Sequence, residues 1–358
     1  MTHRPPSRLV AVSTAVVVMM TAGGCSSRTT DDRTRASDDR TRASGTSSTG
    51  PTTASASAGT AVTTSHPRPA EGVDGALVSV DPTVTGEGIS GDFGEHAVAG
   101  PAGRARGELL VFFPGTGAEP DAYSTFLERA AGLGYHVIGL AYPNDVSVNF
   151  DVCRGGTDPD CARAAREEVL WGTDASGLDL DVSPADAAIP RLVAVLAHLS
   201  RTQPGAGWDR YLRPDRVPSW SDIAVAGHSQ GGGHAAFVAR TEAVARVILF
   251  DATEPAPWTT DPMVTPGTRM WGLAHAAEPF VALMQRSWEN LGLPGEPVQI
   301  DDGALPWNGS HRLVTATDAC RGDPASRGFH HNCPVADEFL PDPLPGSLSA
   351  AWELMLTG

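Results

Sequence analysis

The chain has 358 residues and a formal net charge of −16, with arginine as its only cationic side chain besides histidine. The first 70 residues hold eight arginines and four aspartates, so the remainder carries about −20. A surface this acidic excludes a nucleic-acid ligand, because phosphate binding draws on a basic patch. The stretch beyond residue 70 is long enough for one domain with a substantial core.

The chain opens with a basic n-region (Arg4, Arg8), an apolar h-region from Leu9 to Met20, and the small residues Thr21-Ala22-Gly23-Gly24 before Cys25. This pattern predicts a secretory signal over 1–25, too short to span a membrane. Its end resembles a bacterial lipobox, with Ala22 at the place usually held by leucine. The resemblance implies an acylated Cys25 as the mature N-terminus, and so an exported lipoprotein anchored at the outer side of the cell membrane. Ordinary signal cleavage would instead give a secreted protein. Residues 26–70 are rich in Ser, Thr, Ala and Gly and repeat Asp-Asp-Arg-Thr-Arg-Ala-Ser at 31–37 and 38–44. They cannot bury enough apolar surface to order themselves and predict a disordered tether. Residues 71–358 form the domain. Its four cysteines fall into two local pairs, Cys153 with Cys161 and Cys320 with Cys333, which read as short-loop disulfides in an oxidising compartment. No pair has the spacing of a zinc site, so no metal is expected.

Residues 76–98 fit two antiparallel strands. Glu108–Phe113 is a buried strand, Asp121–Leu133 a helix with Ala122, Phe126, Leu127 and Ala130 at helical spacing, and Tyr135–Leu140 the next strand. A helix capped by Ser183 follows, with Pro184 in its first turn and an apolar face of Ile189, Leu192, Val193, Leu196 and Leu199. Further strands are expected at Ile223–Ala226, Val244–Phe250, Arg269–Leu273 and His311–Ala316. Strands alternating with helices predict a mostly parallel sheet covered on both faces. Residues 144–182 interrupt the alternation.

After the strand Ile223–Ala226 comes Gly227-His228-Ser229-Gln230-Gly231-Gly232-Gly233 and then a small-residue helix. Strand, Gly-x-Ser-x-Gly and helix together form the context of a nucleophile elbow. Glycines flank Ser229 because so sharp a turn leaves no room for Cβ atoms. The element order and this elbow resemble the α/β-hydrolase superfamily over roughly 105–335, and the Gly-x-Ser-Gln-Gly detail resembles secreted lipases and cutinases. The resemblance implies an α/β-hydrolase fold and a triad in the order Ser, acid, His, with no cofactor. Serine at its free pKa is a poor nucleophile and needs a base, and the base needs a carboxylate.

For the base, the candidates after the last strand are His331 and His330, with His331 preferred because it lies nearer the Cys320–Cys333 bridge. His311 opens that strand and sits at its wrong end. His228 and His234 read as packing or surface residues. For the acid, Glu278 follows the strand Arg269–Leu273, the family's usual place for it, although aspartate is usual there. Asp251, after the preceding strand, is the alternative. The oxyanion donors expected are the N–H of Gln230 and, from the turn Pro114-Gly115-Thr116-Gly117-Ala118, that of Thr116, with Gly117 or Ala118 as alternatives. The 144–182 insertion would overhang the site as a pocket wall or lid. The function expected is a serine hydrolase of carboxylic esters, acting on a small-molecule or lipid ester. A peptidase or acyltransferase on the same parts, and a non-catalytic surface-binding protein, are the alternatives.

Overall fold

The computed structural model describes residues 75–175, 177–326 and 328–358. The expected signal, Cys25 and the 26–70 tether lie outside the described residues.

Nine strands form one sheet: β1 (Val78–Val80), β2 (His96–Ala99), β3 (Leu109–Phe113), β4 (His136–Gly139), β5 (Ile223–His228), β6 (Arg246–Phe250), β7 (Met270–His275), β8 (Val298–Gln299) and β9 (Arg312–Thr315). Their spatial order is β1-β2-β4-β3-β5-β6-β7-β9-β8. Only the β1–β2 and β2–β4 pairings are antiparallel; from β4 to β8 every pairing is parallel. Each strand in the expected list is present. The two-residue β8 was not expected, being too short to show a period.

Among the described residues the α-helices are α1 (Ser124–Gly132), α2 (Cys161–Trp171), α3 (Ala188–Thr202), α4 (Gln230–Thr241), α5 (Val281–Asn290), α6 (Phe329–Asn332) and α7 (Gly346–Thr357). Strand alternation sends Val111, Phe113, Val225 and Leu249 to one face, where they pack with α2, α3, α4 and α5. Leu110, Phe112, Ile248 and Phe250 go to the other, against α1 and α7. A sheet covered twice explains why its central strands are continuous apolar runs.

One helix start differs from the sequence expectation. Ser183 does not cap α3; its hydroxyl accepts from the Asp186 N–H within a separate turn, and the helix begins at Ala188. Pro190 then occupies the first helical turn, where a missing N–H costs no intrahelical bond.

The chain runs from β3 through α1 leftward to β4, then returns through α3 to β5 on the right of β3. The carboxyl ends of β3 and β5 therefore flank a topological switch point, where the connections diverge and leave a crevice. The turn Pro114–Ala118 and Ser229 both stand there.

Candidate active site

Ser229 sits between β5 and α4 with φ 54° and ψ −120°. A non-glycine residue at positive φ is held there by its surroundings. Its N–H donates to the Phe250 carbonyl at 2.9 Å, and its own carbonyl accepts from Gly232 at 3.1 Å. A Cβ on Gly227 would overlap the Gly231 carbonyl carbon, and one on Gly231 would overlap the Phe113 oxygen. The glycines are thus a steric requirement of the elbow, as expected.

Downstream, the Cys320–Cys333 disulfide is present and closes the segment that carries α6. On α6 the two adjacent histidines face different ways. His331 has Nδ1 3.6 Å from Glu278 Oε1, and its ring centroid lies 4.8 Å from that of His228, the residue before Ser229. His330 packs instead on His275, with centroids 4.5 Å apart, and on Phe329. Glu278 is buried, and among the described residues neither its Oε2 nor His331 Nδ1 has a hydrogen-bond partner. At 3.6 Å the pair is longer than a hydrogen bond.

Asp251 is placed differently. It is wholly buried at φ 40°, and its Oδ1 accepts from the His275 N–H at 3.1 Å. Among the described residues no histidine ring nitrogen pairs with it, and its Oδ2 has no partner. Burial, aided by the nearby Glu278 charge, pushes its carboxyl well above the usual range. The structure brings Glu278, not Asp251, to His331.

Gln230 opens α4, so its N–H has no acceptor four residues back within the helix. In the turn after β3, Gly117 N–H donates to Asn144 O at 2.8 Å, Ala118 N–H to Gly115 O at 3.1 Å, and Gly115 N–H to the Tyr123 hydroxyl at 3.1 Å. Thr116 is exposed, and its N–H has no partner among the described residues. The turn is braced by Asn144, whose Nδ2 donates to Gly115 O at 2.7 Å and Ala118 O at 2.8 Å. Sequence reasoning missed Asn144 and Tyr123.

The 144–182 insertion is tied to the elbow. The Gln230 side chain donates to Val146 O at 3.0 Å and accepts from Val148 N–H at 2.7 Å. That bond opens a π-helical turn, Val148–Val152, which the Cys153–Cys161 disulfide joins to α2. From α2, buried Arg166 pairs with buried Glu254, donates to His234 Nδ1 at 3.1 Å and reaches Gln230 O at 3.5 Å. A Cβ on Gly233 would strike that guanidinium. His234 is therefore a packing residue, kept neutral by burial and by Arg166. Glu168, also on α2, accepts from the Val182 N–H at 3.0 Å and the Ala175 N–H at 3.1 Å, fixing the far end of the insertion. Arg166→Ala would leave Glu254 buried without its counter-charge. The expected loss is about 3–5 kcal/mol of unfolding free energy, read from urea melts.

A cavity of about 470 Å³ lies beside the insertion, lined by Phe93, Asp145, Val146, Asp179 and Asp181 among others; Ser229 does not line it. His275, Cys320 and Cys333 bring ligand-type atoms within 4.8 Å of one another. The two sulfurs are bonded to each other. His275 Nδ1 accepts from Ala277 N–H and Nε2 donates to Thr317 O, so this trio has no free donor for a metal.

The sheet order, the elbow after β5 and the crevice at the switch point define an α/β-hydrolase fold. No protein-family model matches the chain, and no curated protein matches it. Among solved structures, it is similar to a dienelactone hydrolase from Anabaena variabilis ATCC 29413, at 16% identity over 78% of this chain and 94% of that one, with a TM-score of 0.39. It is also similar to Thermogutta terrifontis esterase 2 phosphorylated by paraoxon, at 14% identity over 78% and 91%, TM-score 0.38. A carboxylesterase from Mesorhizobium loti matches at 12% identity over 64% and 89%, TM-score 0.34. At such identities and scores none of these likenesses bears on function, and the fold is read from the sheet itself.

Proposed function

We propose that the chain is a serine hydrolase of carboxylic esters, with Ser229, His331 and Glu278 as its triad. The observation that carries this reading is a strained elbow serine, Ser229 at positive φ before the N-terminus of α4, whose neighbour His228 lies against His331, the histidine that faces buried Glu278. Ser229 Oγ attacks the ester carbonyl carbon and His331 takes the hydroxyl proton. The N–H groups of Gln230 and Thr116 receive the negative oxygen. The C–O bond to the alcohol breaks, and the alcohol leaves with the proton from His331. Water then attacks the acyl-serine, loses its proton to His331, and the acid departs as Ser229 recovers that proton. Glu278 orients the ring and stabilises its cationic form. No step needs a metal or organic cofactor.

The ties of the insertion to Gln230 and Glu254 support a fixed pocket wall rather than a moving lid. On that wall Phe150 is 51% exposed, and its ring lies 5.8 Å from that of Phe280, 38% exposed and two residues beyond Glu278. Two exposed apolar rings, one on the segment tied to Gln230 and one beside Glu278, favour an uncharged, bulky acyl or alcohol group. Phe150→Ala and Phe280→Ala should each lower kcat/KM on octanoate or benzoate esters by about tenfold and leave acetate esters within about twofold. An equal loss on all three esters would remove the rings from substrate selection.

The two disulfides, with the leader and Cys25, support an exported and lipid-anchored protein. Mass spectrometry of the mature N-terminus checks the acylation. The hydrolase reading is tested with a fluorophosphonate probe and peptide mapping. The adduct should fall on Ser229; a folded, disulfide-intact protein that takes no label would refute it.

A further inference from the structure

Between the elbow and the base runs a short chain of hydrogen bonds that the triad does not use. His228, one residue before Ser229, is buried. Its Nε2 lies 2.9 Å from the main-chain carbonyl oxygen of His331. Its Nδ1 lies 3.0 Å from the Tyr123 hydroxyl, and that hydroxyl lies 3.1 Å from the Gly115 nitrogen.

The direction of the bonds in this chain is fixed from its carbonyl end. A carbonyl oxygen only accepts, so His228 must carry its proton on Nε2. Nδ1 is then a lone pair and must accept, so the Tyr123 hydroxyl donates to it. The Gly115 N–H only donates, and it fills the acceptor site on the same hydroxyl oxygen. The opposite tautomer would set a lone pair against the His331 carbonyl oxygen. Burial and the neighbouring His331 hold the His228 pKa down to about 3, so the ring stays neutral.

The chain joins two parts that must keep their spacing. Gly115 precedes Thr116 in the turn proposed to hold the oxyanion. His331 stands on α6, a helix of four residues, too short to hold its own position. The disulfide fixes the C-terminal side of α6 at Cys333. The bond from His228 fixes the carbonyl of the base itself.

We propose that His228 and Tyr123 are positioning residues: they set the place of the His331 backbone relative to the Gly115–Thr116 turn through one polarised Gly115–Tyr123–His228–His331 relay. The catalytic half of this proposal rests on the reading of Ser229 and His331 as nucleophile and base.

The test compares the wild-type enzyme with Tyr123→Phe, His228→Gln and His228→Leu. In ¹⁵N-histidine-labelled wild type at pH 7, His228 should show a protonated Nε2 and an unprotonated Nδ1. In Tyr123→Phe, kcat and the fluorophosphonate labelling rate should fall about tenfold while KM stays within about twofold, because lost alignment acts on the transition state more than on substrate binding. His228→Gln, whose carboxamide N–H can still reach the His331 carbonyl, should keep more of kcat than His228→Leu, which can reach nothing. Thermal melts establish that the folded fractions are equal. A protonated Nδ1 on His228 would overturn the relay. So would Tyr123→Phe with an unchanged kcat, or Gln and Leu variants of equal activity. Absence of label on wild-type Ser229 removes the hydrolase reading together with the catalytic half. Normal labelling with unchanged Tyr123→Phe kinetics removes this proposal alone.

Discussion

Ser229→Ala is expected to fold normally, lose fluorophosphonate labelling, and lose ester turnover by about 10⁶-fold in kcat. His331→Ala should cost a similar factor, because a serine without its base is left at its unreactive pKa. The double variant should be no worse than either single one, since nucleophile and base act as a unit. His330→Ala separates the two neighbours. Its ring packs on His275 and Phe329 and pairs with no carboxylate among the described residues. That substitution should lower the melting temperature by a few degrees, about the effect of 1 kcal/mol in a large domain, and leave kcat within a few fold. Initial rates on a p-nitrophenyl ester, with melts alongside, decide it. A large loss in His330→Ala with activity retained in His331→Ala would move the base by one residue.

That sequence alone offered a preference for His331 over His330 but no geometry to separate them has a plain cause. Successive residues on a helix differ by about 100° in direction, so adjacent side chains on α6 meet different neighbours. One faces Glu278 and the other His275, and both partners lie more than fifty residues upstream. The elbow was legible because its chemistry is local: strand, flanking glycines and helix are contiguous. The sheet was legible for the same reason, its buried strands being unbroken apolar runs. Helices α5 and α7 were not anticipated. α5 buries only Met284, Ser287 and Trp288, too sparse a stripe to stand out, whereas α7 is apolar on most sides. Arg166, Asn144 and Tyr123 were missed as supports of the site because their partners are distant in the chain. Tyr123 meets His228 across 105 residues and Arg166 meets Glu254 across 88. Nothing in the local sequence of an arginine on a polar-looking helix distinguishes a buried brace from a solvated side chain.

The choice between the two acids turns on charge and can be made with one pair of substitutions. Glu278→Gln keeps the size of the side chain but removes the negative charge that, in the proposed mechanism, steadies the His331 imidazolium as it forms. The expected loss is about 10⁴-fold in kcat, the scale seen when a triad acid becomes an amide. Asp251→Asn should leave kcat within a few fold, since its Oδ1 serves only the His275 N–H and an amide oxygen accepts that bond equally well. It should also stabilise the protein in a pH-dependent way. Burial raises the folded-state pKa of Asp251 above its unfolded value. In the window between the two, the folded state holds a proton that the unfolded state has released, so wild-type stability falls as pH rises through the carboxylate range toward the folded pKa. The slope is about 1.4 kcal/mol per pH unit, and the full contribution is present only below the unfolded pKa of about 3.9. Asparagine has no proton to lose. The variant should therefore match wild type near pH 3.5 and melt higher at pH 7, the gap widening with pH until the folded pKa is passed. Melting curves from pH 3.5 to 8, with kcat at pH 7, read both effects on the same samples. Should Asp251→Asn collapse kcat while Glu278→Gln retains it, the acid belongs to the end of β6, and the Glu278–His331 contact is structural.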